Sequence, residues 1–152
     1  MATIIKYNNI ILPVGTTPAN ALHWDEEDLI ARTISKYSDS ITTTIGSYAF
    51  GGCKNLSQVY FTSCTYIDNY AFTSCYNLLK VYILGSTVPT LASTRAFYST
   101  PISDYTTSTS GVYGSIFVKA SLLTAFKTAA NWVAYSARMV GLTDEQIAAL
   151  GT

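Results

Sequence analysis

Between Ile45 and Val88 the apolar and polar positions run through one pattern twice. IGSYAFGGCKNLSQVYFTSCTY, from Ile45 to Tyr66, is followed directly by IDNYAFTSCYNLLKVYILGSTV, from Ile67 to Val88. At matching offsets stand Ile45 and Ile67, Tyr48 and Tyr70, Ala49-Phe50 and Ala71-Phe72, Cys53 and Cys75. Leu56 with Leu78, Val59 with Val81, and Phe61 with Ile83 complete the series. A fixed period of about 20–50 residues marks a stacked repeat, in which each unit buries its apolar face against its neighbours. The alternation in Leu-x-x-Val-x-Phe/Ile predicts a strand with one buried face, with Leu56, Val59, Phe61, Leu78, Val81 and Ile83 inward. The Tyr-Ala-Phe-x-x-Cys stretch predicts a short helical or 3-10 turn on the opposite arc, where Ala permits close packing and Phe fills the core.

The flanks change the pattern. Thr3–Tyr7 and Ile10–Val14 are short β-favouring runs around Asn8-Asn9 and predict a hairpin. Pro13, Gly15 and Pro18 then mark a loop. Asp25 has the character of a helix N-cap, with Glu26, Glu27 and Asp28 in the first turn and Trp24 and Leu29 spaced as a hydrophobic staple. Such a helix covers the open end of a repeat stack beginning near Ile41. Ala96-Phe97 restates the repeat signature irregularly before a polar insertion, Ser103 to Ser115, and Ile116-Phe117-Val118 supplies the awaited strand. Leu122, Leu123, Phe126, Ala129 and Ala130 recur at helical spacing from Ala120 to about Asn131, with Ser121 as cap. A short strand at Arg138–Leu142 and a last helix with a Thr143/Gln146 capping box and a Gly151 stop complete the chain. The expected fold is α+β: a short solenoid of about three coils over 41–118, a hairpin and helix cap over 1–40, and a helical cap over 119–152.

Composition narrows the function classes. Charged residues make up 12% of the 152, against about 25% in an average soluble domain, and the formal net charge is zero. Neither a basic field for nucleic acid or anionic lipid nor an acidic one for basic partners is present. A charge-poor surface favours association, so a homo-oligomer or assembly component is expected. No apolar run approaches the roughly 18–20 residues of a membrane span, and the first residues read as no targeting segment. Three cysteines argue against a disulfide framework, and Cys53 and Cys75 read as small buried residues of the stack. His23 is the one histidine, and no nucleophile elbow, zinc, phosphate or dinucleotide motif occurs, so no catalytic residue, metal or cofactor is expected.

The candidate chemistry is aromatic. The 12 tyrosines include Tyr60 and Tyr82, which alternation turns outward on neighbouring strands, with Phe117 in the matching place of the third coil. Such a row either stabilises the sheet through cross-strand contacts or stacks on sugar rings and anchors a partner. In the insertion, Tyr105 and Tyr113 among hydroxyl side chains form a second candidate, against the plainer reading of a solvated loop. Tyr76 and Tyr98 read as turn packing.

The pattern I-x-x-Y-A-F-x-x-C-x-x-L-x-x-V-x-F/I, at Ile45–Phe61 and Ile67–Ile83, resembles the BspA-like leucine-rich repeat family. The tail IFVKASLLTAFKTAANWVAYSARMVGL is similar to the cap that closes such arrays, with Val118-Lys119 where Val-Pro is usual. The resemblance implies a curved, right-handed solenoid with a parallel sheet on one face. It also implies either a phage or prophage virion protein for decoration or attachment, or a bacterial cell-surface adhesin or glycan-binding module. Its partners are then other virion or surface proteins, met through the N-terminal region, and a host glycan or receptor. The lack of a targeting segment tilts the expectation to the virion.

Overall fold

The chain was analysed as a computed structural model, which describes residues 21–22, 35–104 and 111–151. The expected N-terminal hairpin and the helix after Asp25 lie outside the described residues, as do His23 and Tyr105. Among the described residues, nine strands form two sheets. Two-residue strands β1 (Ala21–Leu22), β3 (Thr44–Ile45), β5 (Tyr66–Ile67) and β7 (Thr90–Leu91) lie side by side in that order. Longer strands β2 (Lys36–Asp39), β4 (Gln58–Phe61), β6 (Lys80–Ile83), β8 (Ser115–Lys119) and β9 (Met139–Leu142) make the second sheet in sequence order. Every pairing is parallel, with repeat-equivalent residues opposite one another, as in Val59 with Val81 and Ile45 with Ile67. Parallel neighbours need a crossover between them, and each repeat supplies one.

The alternation places the core as expected. Val59, Phe61, Val81, Ile83, Ile116 and Val118 face the two-residue strands' Ile45, Ile67 and Leu91, with Leu56 and Leu78 beside them. Phe50, Phe72 and Phe97 stack at 5.1 and 5.2 Å between centroids with planes within 4° of parallel. That spacing follows from the strand separation of about 4.8 Å, which puts equivalent side chains in van der Waals contact. Cys53, Cys64 and Cys75 are buried free thiols in this core.

Two expectations are corrected and a third is made definite. The parallel sheets begin before residue 41, because β1 and β2 pair with β3 and β4. Tyr37, in register with Val59, packs against Phe50 and Phe61, so the unit before Ile41 joins both the sheet and the core. The Tyr-Ala-Phe arc takes the tighter of its two expected forms, single turns of the 3-10 type, such as Ala49 N to Gly46 O at 3.0 Å and Cys53 N to Phe50 O at 3.2 Å. A helix cannot run through it, because Tyr48 and Tyr70 sit at φ 59° and Ser74 at φ 61°. The expected helix over 120–131 is divided into a 3-10 turn at Ala120–Leu122, a six-residue α1 (Leu123–Thr128) and a 3-10 segment at Trp132–Arg138, and Ser121 caps none of them.

The break after α1 has a physical reason. Asn131 turns at φ 67°, and its Nδ2 donates to the Leu91 carbonyl at 2.7 Å. Trp132 Nε1 donates to the Pro89 carbonyl at 2.7 Å, and the Tyr135 hydroxyl to the Thr94 carbonyl. Thus side-chain donors satisfy carbonyls in and beside β7, the last strand of its sheet among the described residues. Trp132 and Tyr135 also continue the phenylalanine stack, at 6.3 and 5.4 Å from Phe97. The last helix, α2 (Asp144–Ala148), carries the expected capping box of Thr143 and Gln146.

Candidate binding surfaces

On the outer side of the five-stranded sheet, register lines up Ser38, Tyr60, Tyr82, Phe117 and Val140, one from each strand. Tyr60 and Tyr82 lie 5.6 Å apart between centroids, and Tyr82 stacks on Phe117 at 4.6 Å. The row is therefore real, and it points away from the core. Its exposure is not as expected: Tyr60 is 9% exposed and Tyr82 6%. With Leu84 they form a second apolar cluster, packed against Phe117, Leu142, Ile147 and Leu150. The chain folds back after β9, and Ile147 of α2 and Leu150 in the turn after it lie over the row. Burial, and behind it the neighbouring Tyr60, raise the Tyr82 phenol above its ordinary range. Removing the Tyr82 ring thus opens a packed cluster rather than trimming a free surface.

The insertion gives less. Its base is clasped by Gly114 N donating to the Pro101 carbonyl at 2.9 Å, and a Cβ at Gly114 would lie 2.9 Å from the Leu78 carbonyl oxygen. Tyr113 is 44% exposed, with the Arg138 guanidinium 3.2 Å from its ring centroid. That cation occupies one ring face, so Tyr113 is a supported side chain and not a bare platform. Tyr105 lies outside the described residues, and nothing brings Tyr113 into the Tyr60–Tyr82 row.

A different aromatic row reaches solvent. Tyr48 and Tyr98 are 57% and 55% exposed, and half-buried Tyr70 lies between them. Tyr48 stacks on Tyr70 at 5.3 Å with planes 12° apart, and Tyr98 meets Tyr70 edge to face at 6.0 Å. Both Tyr48 and Tyr70 hold the left-handed backbone that costs a non-glycine residue about 1–2 kcal/mol. Ser47 Oγ donates to the Asn69 carbonyl at 2.9 Å and Ser93 Oγ to Asn69 Oδ1 at 2.6 Å, tying successive turns beside the rings. The identical offset of Tyr48 and Tyr70 was visible in the sequence. Their outward direction was not, because it follows from the positive φ. Tyr98, expected as turn packing, has no counterpart at that offset and joins the row only in three dimensions.

Burial pushes the Cys64 thiol up to about 12 and Cys75 well above its ordinary range, with neighbouring Cys53 adding to the latter. Such thiols are poor nucleophiles. Among the described residues no group of three potential metal ligands occurs, and no helix is long and apolar enough to cross a membrane.

The model of the BspA type leucine rich repeat region matches residues 32–130, in six copies. No curated protein and no solved structure matches the chain.

Proposed function

Because this chain belongs to the BspA-type leucine-rich repeat family, we propose that it is a non-enzymatic binding module whose contact surface is the tyrosine row Tyr48–Tyr70–Tyr98. One observation carries this reading: three aromatic side chains from successive repeats form one continuous row at the surface, with its two end rings more than half exposed. Tyrosine supplies large contact area with few rotors to freeze, the property that recurs in binding surfaces. The absence of net charge directs the surface to a neutral or mixed partner face and not to a polyelectrolyte.

The finer reading is a phage or prophage virion protein for attachment or decoration, docked through its N-terminal region. It rests on the resemblance to arrays found among virion structural proteins and on the charge-poor surface. The alternative is a bacterial surface adhesin or glycan-binding module, which the hydroxyl groups along the row would equally serve.

Two measurements decide. Immunogold labelling of purified particles from a producing culture places the chain on virions if the first reading holds, and on cell envelopes if the adhesin reading does. Labelled chain carrying Tyr48→Ser and Tyr98→Ser is expected to bind its cells or particles at least tenfold less, with its melting temperature little changed. Undiminished attachment would remove the row from the function.

A further inference from the structure

The outer-face cluster of Tyr60, Tyr82 and Leu84 is separate from the main core, and its roof is the segment from Thr143 to Gly151. The hydrogen bonds of that segment are closed within it. The Thr143–Gln146 capping box starts it, Ile147 N donates to the Thr143 carbonyl at 2.9 Å, and Leu150 N to the Ile147 carbonyl at 3.1 Å. Gly151 turns at φ 72°. Among the described residues none of its hydrogen bonds reaches the sheet. No residue of α2 is buried, and contact with the row runs through half-buried Ile147 and Leu150.

The preceding segment is held quite differently. Asn131, Trp132 and Tyr135 each donate a side-chain hydrogen bond to a carbonyl of the last repeat. Their detachment would orphan buried polar groups, whereas lifting Thr143–Gly151 breaks apolar contacts alone. Thr143, the one residue between β9 and α2, is an extended link at φ −74°, ψ 163°. The chain therefore ends its described length in a self-contained unit, loosely seated, on an in-register aromatic face.

We propose that this face is a dimer interface, on which the Thr143–Gly151 segment of one copy docks over Tyr60, Tyr82 and Leu84 of a second copy while the second copy's segment does the same in return. The occupant is specified by the molecule itself: the face already fits two aliphatic side chains three residues apart, Ile147 on the short helix and Leu150 in the turn that follows it. A second copy carries that helix without any new complementarity. Closed and exchanged forms share the same docking contacts, so the link at Thr143 and the protein concentration set the balance. A two-fold exchange closes at two copies. With zero net charge, long-range repulsion does not oppose it.

Light scattering on the full chain between roughly 10 μM and 1 mM, a range that reaches the effective concentration of about 1 mM imposed by a short tether, tests the exchange. The mass is expected to rise from 16.5 kDa to twice that value. A variant with Ile147→Asp and Leu150→Asp is expected to keep the single mass throughout, with the circular dichroism of the sheet retained. A parent that stays at the single mass, or a variant that dimerises like the parent, overturns the proposal. Should the variant fail to fold, a synthetic peptide of residues 142–151 in tenfold excess is expected to return the parent dimer to the single mass, and its failure to do so overturns the proposal too. Peptide binding to a parent that is monomeric at every concentration would assign the face to a foreign helix instead. Tyr48, Tyr70 and Tyr98 take no part, so this result and the attachment assay stand or fall separately.

Discussion

Position by position, the repeats show which side chains the backbone tolerates and which it wants. Gly52, Ser74 and Ser99 occupy equivalent places and share left-handed φ values of 75°, 61° and 57°. Only the first is the residue that adopts them freely. Ser74→Gly is expected to raise stability by about 0.5–1 kcal/mol, the relief of strain less the entropy lost by a freer unfolded chain. Urea unfolding of that variant checks it, and a lowered midpoint would count against the strain. Asp39 shows the opposite case, a side chain the turn depends on. Its carboxylate accepts from Ile41 N and Thr42 N at 2.7 and 2.8 Å, from the Thr42 hydroxyl, and from Tyr37 Oη at 2.8 Å. Burial pushes its pKa up, but these hydrogen bonds outweigh burial and leave it below the ordinary range. A depressed folded value means stability that is complete above the unfolded pKa of about 3.9 and lost as pH falls through the lower folded one. Asp39→Asn is expected to cost about 1–2 kcal/mol at pH 7, modest because the group is half in water. The difference from the parent should shrink near pH 3, and equal losses at both pH values would show that the charge is not what the turn uses.

Among elements, the informative contrast lies between the two ends of the last repeat. The five-stranded sheet continues into β9, while β7 ends the smaller sheet with no strand beyond it among the described residues. Trp132 and Asn131 stand in for that strand, offering an indole and an amide N–H where a backbone would have offered two. Trp132→Phe keeps most of the ring that meets Phe97 and Phe126 but leaves the Pro89 carbonyl without its donor. The expected loss is about 1–3 kcal/mol, the cost of an orphaned buried acceptor. Chemical denaturation monitored by circular dichroism measures it, and a neutral result would mean that water replaces the indole.

Across the whole molecule, stability is expected to follow the stacking. β4 and β6 are flanked by strands on both sides and carry the phenylalanine stack beneath them, so their amides should exchange with solvent last. The amides of α2 should exchange far sooner, because two half-buried side chains hold that helix to the sheet. Hydrogen exchange at neutral pH reads this order directly. Protection of α2 equal to that of β6 would mean the segment opens only when everything does, and would leave no local opening for exchange between copies.

What the amino-acid sequence determined was everything set by local periodicity. The repeat spacing, the inward residues of β4, β6 and β8, the outward parity of Tyr60, Tyr82 and Phe117, and the Thr143 capping box all follow from offsets of a few residues. What only the tertiary structure decided was which outward surface meets water. Ile147 and Leu150 lie far along the chain from Tyr60 and Tyr82, and no local pattern says that the end of the chain folds back across them. The same holds for Trp132 and Asn131, whose role is defined by carbonyls forty residues earlier. It holds for β1 and β2, which pair with β3 and β4 ahead of the two clear copies of the repeat. Tyr98 completes an exposed row from an unmatched offset for a like reason: stacked turns bring together residues by height in the stack, and sequence offset is only an approximation to that height.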